Sequence, residues 1–239
     1  MNETRDLPKW LWLYLPFAAL VAQVAARLGG DEAYKFWMRG EISVPELGTV
    51  LWLAIGVVTG LVLLAGHRRL PYKWLVPWIA VFTLGCFFFG GEEASWGQSY
   101  VHWRTPEAMA AANAQQETNL HNVKGPLRIL FDKAPRTGLT IAAMAAIAIA
   151  FWAWRQPEKF GPRTKLHWIW PTYVCVPAAL LALTIGYPAK LCELFGAAVP
   201  NVLQMQVGEF KEYYLGMFLM LYALSLWLRL RDANKSSAA

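Results

Sequence analysis

Six apolar runs, each able to cross a bilayer as a helix, decide what this chain can fold into. They lie near residues 10–28, 46–66, 74–90, 137–154, 168–187 and 213–230. A helix rises 1.5 Å per residue, so about 17–25 residues cross the ~30 Å hydrocarbon layer. The third run is short and reaches that length only if its helix continues past Gly90. Lipid offers no water to backbone N–H and C=O groups, so only helices and closed barrels span it. The runs are continuous rather than alternating, which excludes barrel strands. Hydrophobic residues are 56% of 239 and the mean hydropathy is +0.31, too apolar for a soluble domain. The sequence therefore predicts an all-α integral membrane protein, a single membrane domain over residues 1–239. Six transmembrane helices are expected, with a long, part-helical connector at 91–136 between the third and fourth. The first run follows a flank of mixed sign (2–9), unlike a cleaved leader, and is read as a span.

The net charge of +6 would suggest nucleic acid in a soluble chain. Here the cations sit between apolar runs, where they act as topology signals, and no nucleic-acid partner is expected. Six spans place both termini on one side. That side holds twelve of the 22 Lys and Arg but only Glu3, Asp6, Glu158 and Asp232 of the 16 acids. Cytoplasmic termini in a bacterial inner (plasma) membrane are expected, with the acidic connector on the periplasmic or exterior side. Trp10, Trp12, Trp74, Trp78, Trp152, Trp154, Trp168, Trp170 and Trp227 fall near span ends, the pattern of an interfacial aromatic belt. Cys86, Cys175 and Cys192 lack any paired spacing and read as small apolar fillers. Gly56 and Gly60 form a GxxxG, and Ala142, Ala146 and Ala150 a small stripe; both predict close helix approach. Pro171 and Pro177 should bend or open the fifth span.

The connector concentrates the polar chemistry. It carries Glu92, Glu93, Gln98, Glu117, Asn119, His121 and Asn122 beside an apolar run, where desolvation is expensive. The run GEEASWGQ, the helix start TPE at Thr105–Glu107 and the ending ETNLHN resemble a group of uncharacterised bacterial integral membrane proteins. That resemblance covers this segment, with a looser match around Glu209–Glu212. It implies a polytopic membrane protein and no particular activity.

Thr105-Pro106-Glu107 is a favourable helix start, and the Ala-rich run after it predicts an interfacial helix over 106–121. On such a helix Glu117 and His121 lie one turn apart, able to share an ion or a proton. Gly90-Gly91 should end or loosen the third span and deliver Glu92 and Glu93 at its mouth. Adjacent helical residues point about 100° apart, so one of the two faces the site, and Glu93 is the choice. Glu209 and Glu212 form an E-x-x-E just before the sixth span, on the same side. Carboxylates with histidine suit Zn, Mn or Fe, so Glu93, Glu117, His121, Glu209 and Glu212 are candidate metal ligands. Glu93, Glu117 and His121 are also the candidate catalytic groups. Glu92, Gln98, Asn119 and Asn122 could hydrogen-bond the ligands. One histidine at E-x-x-x-H spacing departs from the di-iron bundle pattern.

Each feature also has a purely structural counterpart. Glu92 and Glu93 could be a solvated helix end, Glu117 and His121 a pair pinning the connector, and Glu209 and Glu212 simple flanks of a span. The chain shows no Walker loop, nucleophile elbow or HExxH, and no mid-span histidine pair for haem. Three functions remain open from the sequence. One is an enzyme, with or without metal, acting on a lipid or lipid-linked substrate. Another is a proton-coupled transporter, disfavoured by spans nearly free of central ionisable residues. The third is a non-catalytic subunit or assembly factor that docks a protein partner or a second copy through the connector.

Overall fold

A computed structural model describes residues 6–39 and 42–236, with side chains to residue 233. Six helical segments are long and apolar enough to cross a membrane: Trp10–Leu28, Val44–Ala65, Leu75–Glu93, Ile129–Arg155, Leu166–Leu194 and Val207–Ala233. No strand occurs among the described residues; one isolated bridge pairs Asn113 with Val123. The third span runs straight through Gly90 and Gly91 to Glu93 instead of loosening there. Its length is thereby made up, and both glutamates become part of the helix.

The sixth span is the hub. It is 78% buried along its most apolar window, against 17% for the first and fourth. Lipid tails are as apolar as leucine, so helices in a membrane are held by close packing and polar bonds rather than by hydrophobic burial. The sixth span supplies both. Gly216 lies against Thr49 and Leu53 of the second span, and Tyr213 covers Gly48, where even a methyl group would collide with the ring. The Tyr214 hydroxyl donates to Gln23 of the first span at 2.9 Å. Trp78 Nε1 of the third span donates to the Tyr222 hydroxyl at 2.7 Å, and Tyr222 donates on to the Ile169 carbonyl at 3.1 Å. Thr172 and Ser225 pair at 3.1 Å.

The second and third spans meet through the GxxxG, with Gly56 against Cys86 and Gly60 against Thr83. The alanine stripe of the fourth span behaves differently. Ala143 and Ala146 are buried, but Ala142, Ala145 and Ala146 line an open apolar groove facing the third span. The fifth span breaks as its prolines require. Short 3-10 turns at Leu166–Trp168 and Tyr173–Cys175 lead into helices Val176–Thr184 and Tyr187–Leu194. Pro171 cannot donate, and the carbonyls freed near it find partners on the sixth span. Arg229, 5% exposed, donates to the His167 and Trp170 carbonyls.

Candidate functional site

The ends of four spans and the connector enclose a polar cavity of about 530 Å³ at the end of the bundle opposite the start of the first span and the end of the sixth. Glu46 arrives at the start of the second span, Glu93 at the end of the third and Arg136 in the first turns of the fourth. Gln206, Glu209 and Glu212 arrive with the sixth, and Ser95, Gln115, Glu117, Asn119, His121 and Asn122 from the connector. All five candidate ligands thus line one cavity. Within it, single carboxylate oxygens of Glu93, Glu209 and Glu212 come within 4.8 Å of one another. Glu209 and Glu212 lie in the first turns of the sixth span rather than ahead of it, so their i,i+3 spacing places both on one helix face.

Glu92 does something else. It is 2% exposed, and its carboxylate accepts from Trp96 Nε1 and from the backbone N–H groups of Leu120 and His121, each at 2.7 Å. His121 Nδ1 is buried and lies 3.4 Å from Glu92 Oε2. Glu92 therefore staples the connector to the end of the third span and holds a carboxylate oxygen beside the histidine ring, while its neighbour Glu93 faces the cavity. The same junction makes a left-handed reversal at Ser95 (φ 43°), Trp96 (φ 57°) and Gly97 (φ 100°). Trp96 folds its ring onto Gly91, where a Cβ would sit 2.7 Å from ring carbon. The glycine is required here by close approach.

The connector helix is shorter than its composition predicts. It spans Glu107–Ala112 only, and residues 113–121 are a folded loop, so Glu117 and His121 do not share a helical turn. The reason is Asn113, which is fully buried. Its Oδ1 accepts from the Gln115 N–H at 2.8 Å, and its Nδ2 donates to Asn119 O and Oδ1 at 2.8 and 2.9 Å. Such side-chain bonds offer the backbone an alternative to helix, and here they outweigh the helix propensity of alanine. Nor does Thr105 cap the helix. Its hydroxyl donates to Gln116 O at 2.6 Å and accepts from Gln98 Nε2 at 2.7 Å, and Gln98 Oε1 accepts from Thr118 N at 2.7 Å.

Glu117 is held inside this loop. Its Oε2 accepts from Asn119 Nδ2 at 2.5 Å, Ser95 Oγ at 3.0 Å and Asn122 Nδ2 at 3.4 Å. Three of the groups expected to support ligands are thereby placed: Asn119 and Asn122 on Glu117, and Glu92 on His121. Gln98 instead ties the loop to itself.

Arg136 was not among the sequence candidates, because the fourth span reads as starting at Thr137. It forms ion pairs with Asp132 at 2.5 Å and with Glu212 at 2.6 Å, and Arg128 pairs with Asp132 at 3.0 Å. The R-x-x-x-D-x-x-x-R spacing at 128, 132 and 136 was the available signal, since it aligns three charges on one helix face. Glu46 and Gln206 were missed as well; each stands in the opening turn or approach of a span and carries no motif.

The cavity brings five glutamates, one histidine and one arginine together. The fold and site define a six-span, all-α membrane-type protein with an acidic cavity at one end. Comparison with family models, with curated proteins and with solved structures finds no match.

Proposed function

We propose that the cavity holds a divalent cation and acts on a lipid or lipid-linked substrate at the non-cytoplasmic face of a bacterial inner membrane. The observation that carries this reading is the convergence of Glu93, Glu209 and Glu212 within 4.8 Å. At that separation two ionised carboxylates repel by roughly 3–4 kcal/mol at an effective dielectric of about 20. Arg136 pairs directly with Glu212 and shares its charge with Asp132. A divalent ion offsets the remaining charge.

The donor set fits such an ion. Three carboxylates from two helices suit such an ion, and His121 of the same cavity widens the choice to Zn, Mn or Fe. Glu92 Oε2 lies 3.4 Å from His121 Nδ1, close enough for a small ring rotation to make the carboxylate–histidine bond that fixes a ligating imidazole. Glu117, committed through Oε2 to the loop, is better suited to hold or move a proton through Oε1 than to ligate. Arg136 can steady a developing anion. A bound ion would lower the pKa of water and polarise a substrate oxygen. A proton-relay transporter gains no support, since the ionisable groups gather at the bundle ends rather than along a central path.

The test is elemental analysis of protein purified without chelator or nickel, for the wild type and for Glu209→Gln and Glu117→Gln. About one equivalent of Zn, Mn or Fe is expected in the wild type, lost in Glu209→Gln and largely kept in Glu117→Gln. Wild-type protein that is folded, active and metal-free after chelation refutes the reading, and leaves the connector as a docking surface.

A further inference from the structure

The polar cavity does not end at its carboxylates. Glu93, His121 and Arg136 also line the mouth of an apolar cavity of about 360 Å³ between the third and fourth spans, walled by Phe82, Phe131 and Leu219. A second apolar cavity of about 380 Å³ continues in the same gap towards Trp152 and Trp170, meeting the first at Phe82 and Leu219. The third and fourth spans make no extensive contact; the sixth forms the floor between them. From Arg136 to Trp152 the groove follows about 24 Å of helix at 1.5 Å per residue, well past the middle of a ~30 Å hydrocarbon layer.

Small residues keep the gap open. Gly85 on the third span and Gly138 on the fourth both line it, and a Cβ on either would meet nothing within 4 Å. Neither glycine is required by backbone conformation or by helix contact, unlike Gly60 or Gly91. Ala142 and Ala145 continue the same wall. We infer that this groove holds the hydrocarbon chain of the substrate lipid, a single chain longer than one leaflet, whose polar head lies among Glu93, His121 and Arg136. The inference rests on the lipid-substrate reading above, but not on the metal. A tail seated here brings the head to the carboxylates along one continuous surface, entered sideways from the bilayer. Ordinary bilayer lipid would fill the gap without preference, and the experiment separates the two.

The probe is a diazirine-tailed, long single-chain prenyl phosphate in phosphatidylcholine vesicles carrying the full-length protein, with cross-links mapped by mass spectrometry. Labelling should concentrate on Phe82, Phe131 and Leu219 and saturate at low probe fraction. Gly85→Phe and Gly138→Phe, which project a ring into open space, should cut that labelling by about tenfold or more. Labelling of the exposed Val58 and Leu61 on the second span should not change. Gly138→Ala should label as the wild type does, and Glu209→Gln should keep groove labelling even where it loses metal. Labelling that is unsaturable, or equal on Val58 and on Phe82, overturns the inference whether or not the phenylalanine variants fold. So does undiminished groove labelling in a folded Gly138→Phe. If groove labelling localises while wild-type protein binds no metal, the metal falls and the groove stands.

Discussion

Two adjacent glutamates should respond differently to substitution. Glu92 satisfies three N–H donors at 2.7 Å from a site that is 2% exposed. In Glu92→Ala the two backbone donors, Leu120 and His121, lose their acceptor inside the protein. Each buried donor left unpaired costs about 1–3 kcal/mol, and bonds to a charged acceptor sit at the upper end. Trp96, 39% exposed, can turn to water and adds little. The sum for alanine is about 2–6 kcal/mol. Glu92→Gln keeps one carbonyl for the backbone pair but turns an N–H towards Trp96, for a cost of about 1–2 kcal/mol. Glu93→Gln replaces a buried carboxyl crowded by Glu209 and Glu212 with a neutral amide of the same shape, so the metal-free protein should lose no stability. The assay is thermal unfolding in detergent with chelator, together with amide exchange across residues 113–123. Glu92→Ala should melt earlier and lose protection there, whereas Glu93→Gln should melt at or above the wild type. A Glu92→Ala protein with wild-type melting and an intact connector, or a Glu93→Gln protein that melts as Glu92→Ala does, refutes the division of labour between them.

Two further outcomes follow from the same geometry. Thr105→Val deletes both a donor and an acceptor in the connector and should cost about 1–3 kcal/mol, more than the loss of a simple cap, read as an earlier melt that Thr105→Ser largely restores. In a cysteine-free background, Ala111→Cys should react with an impermeant thiol reagent from outside intact cells and Arg163→Cys only after lysis; labelling of both from one side contradicts the proposed orientation.

The spans were legible in the sequence because their signal is length and apolarity, which lipid enforces residue by residue. Pro171 announced the break in the fifth span for a similar reason, since a missing N–H has the same effect in any context. The connector was harder. Its alanines promise a helix to His121, and nothing local tells that Asn113 will be fully buried and turn its amide onto Asn119. That bond depends on Glu92 drawing the chain back from Leu120, a contact between residues 28 apart. The candidate carboxylates line one cavity, and what the sequence does not carry is how each is held within it. Whether Glu117 faces the cavity with one oxygen or two depends on Ser95 and Asn119, and Arg136 was hidden because the fourth span starts at Ile129, eight residues before the apolar run at Thr137.

The central position of the sixth span has a consequence for how the molecule is made. Among the described residues it follows the five other spans, so a ribosome delivers it after these neighbours. Until then Gln23, Trp78, Thr172 and Arg136 stand in or beside lipid without the partners that Tyr214, Tyr222, Ser225 and Glu212 later provide. The five-span intermediate is thus a set of helices with exposed polar groups and no centre, a form that membrane proteases and insertion chaperones are able to recognise. Arrival of one helix then closes these six spans into a bundle and brings two of the three converging carboxylates in the same event, so that the acidic cavity forms only as the bundle does.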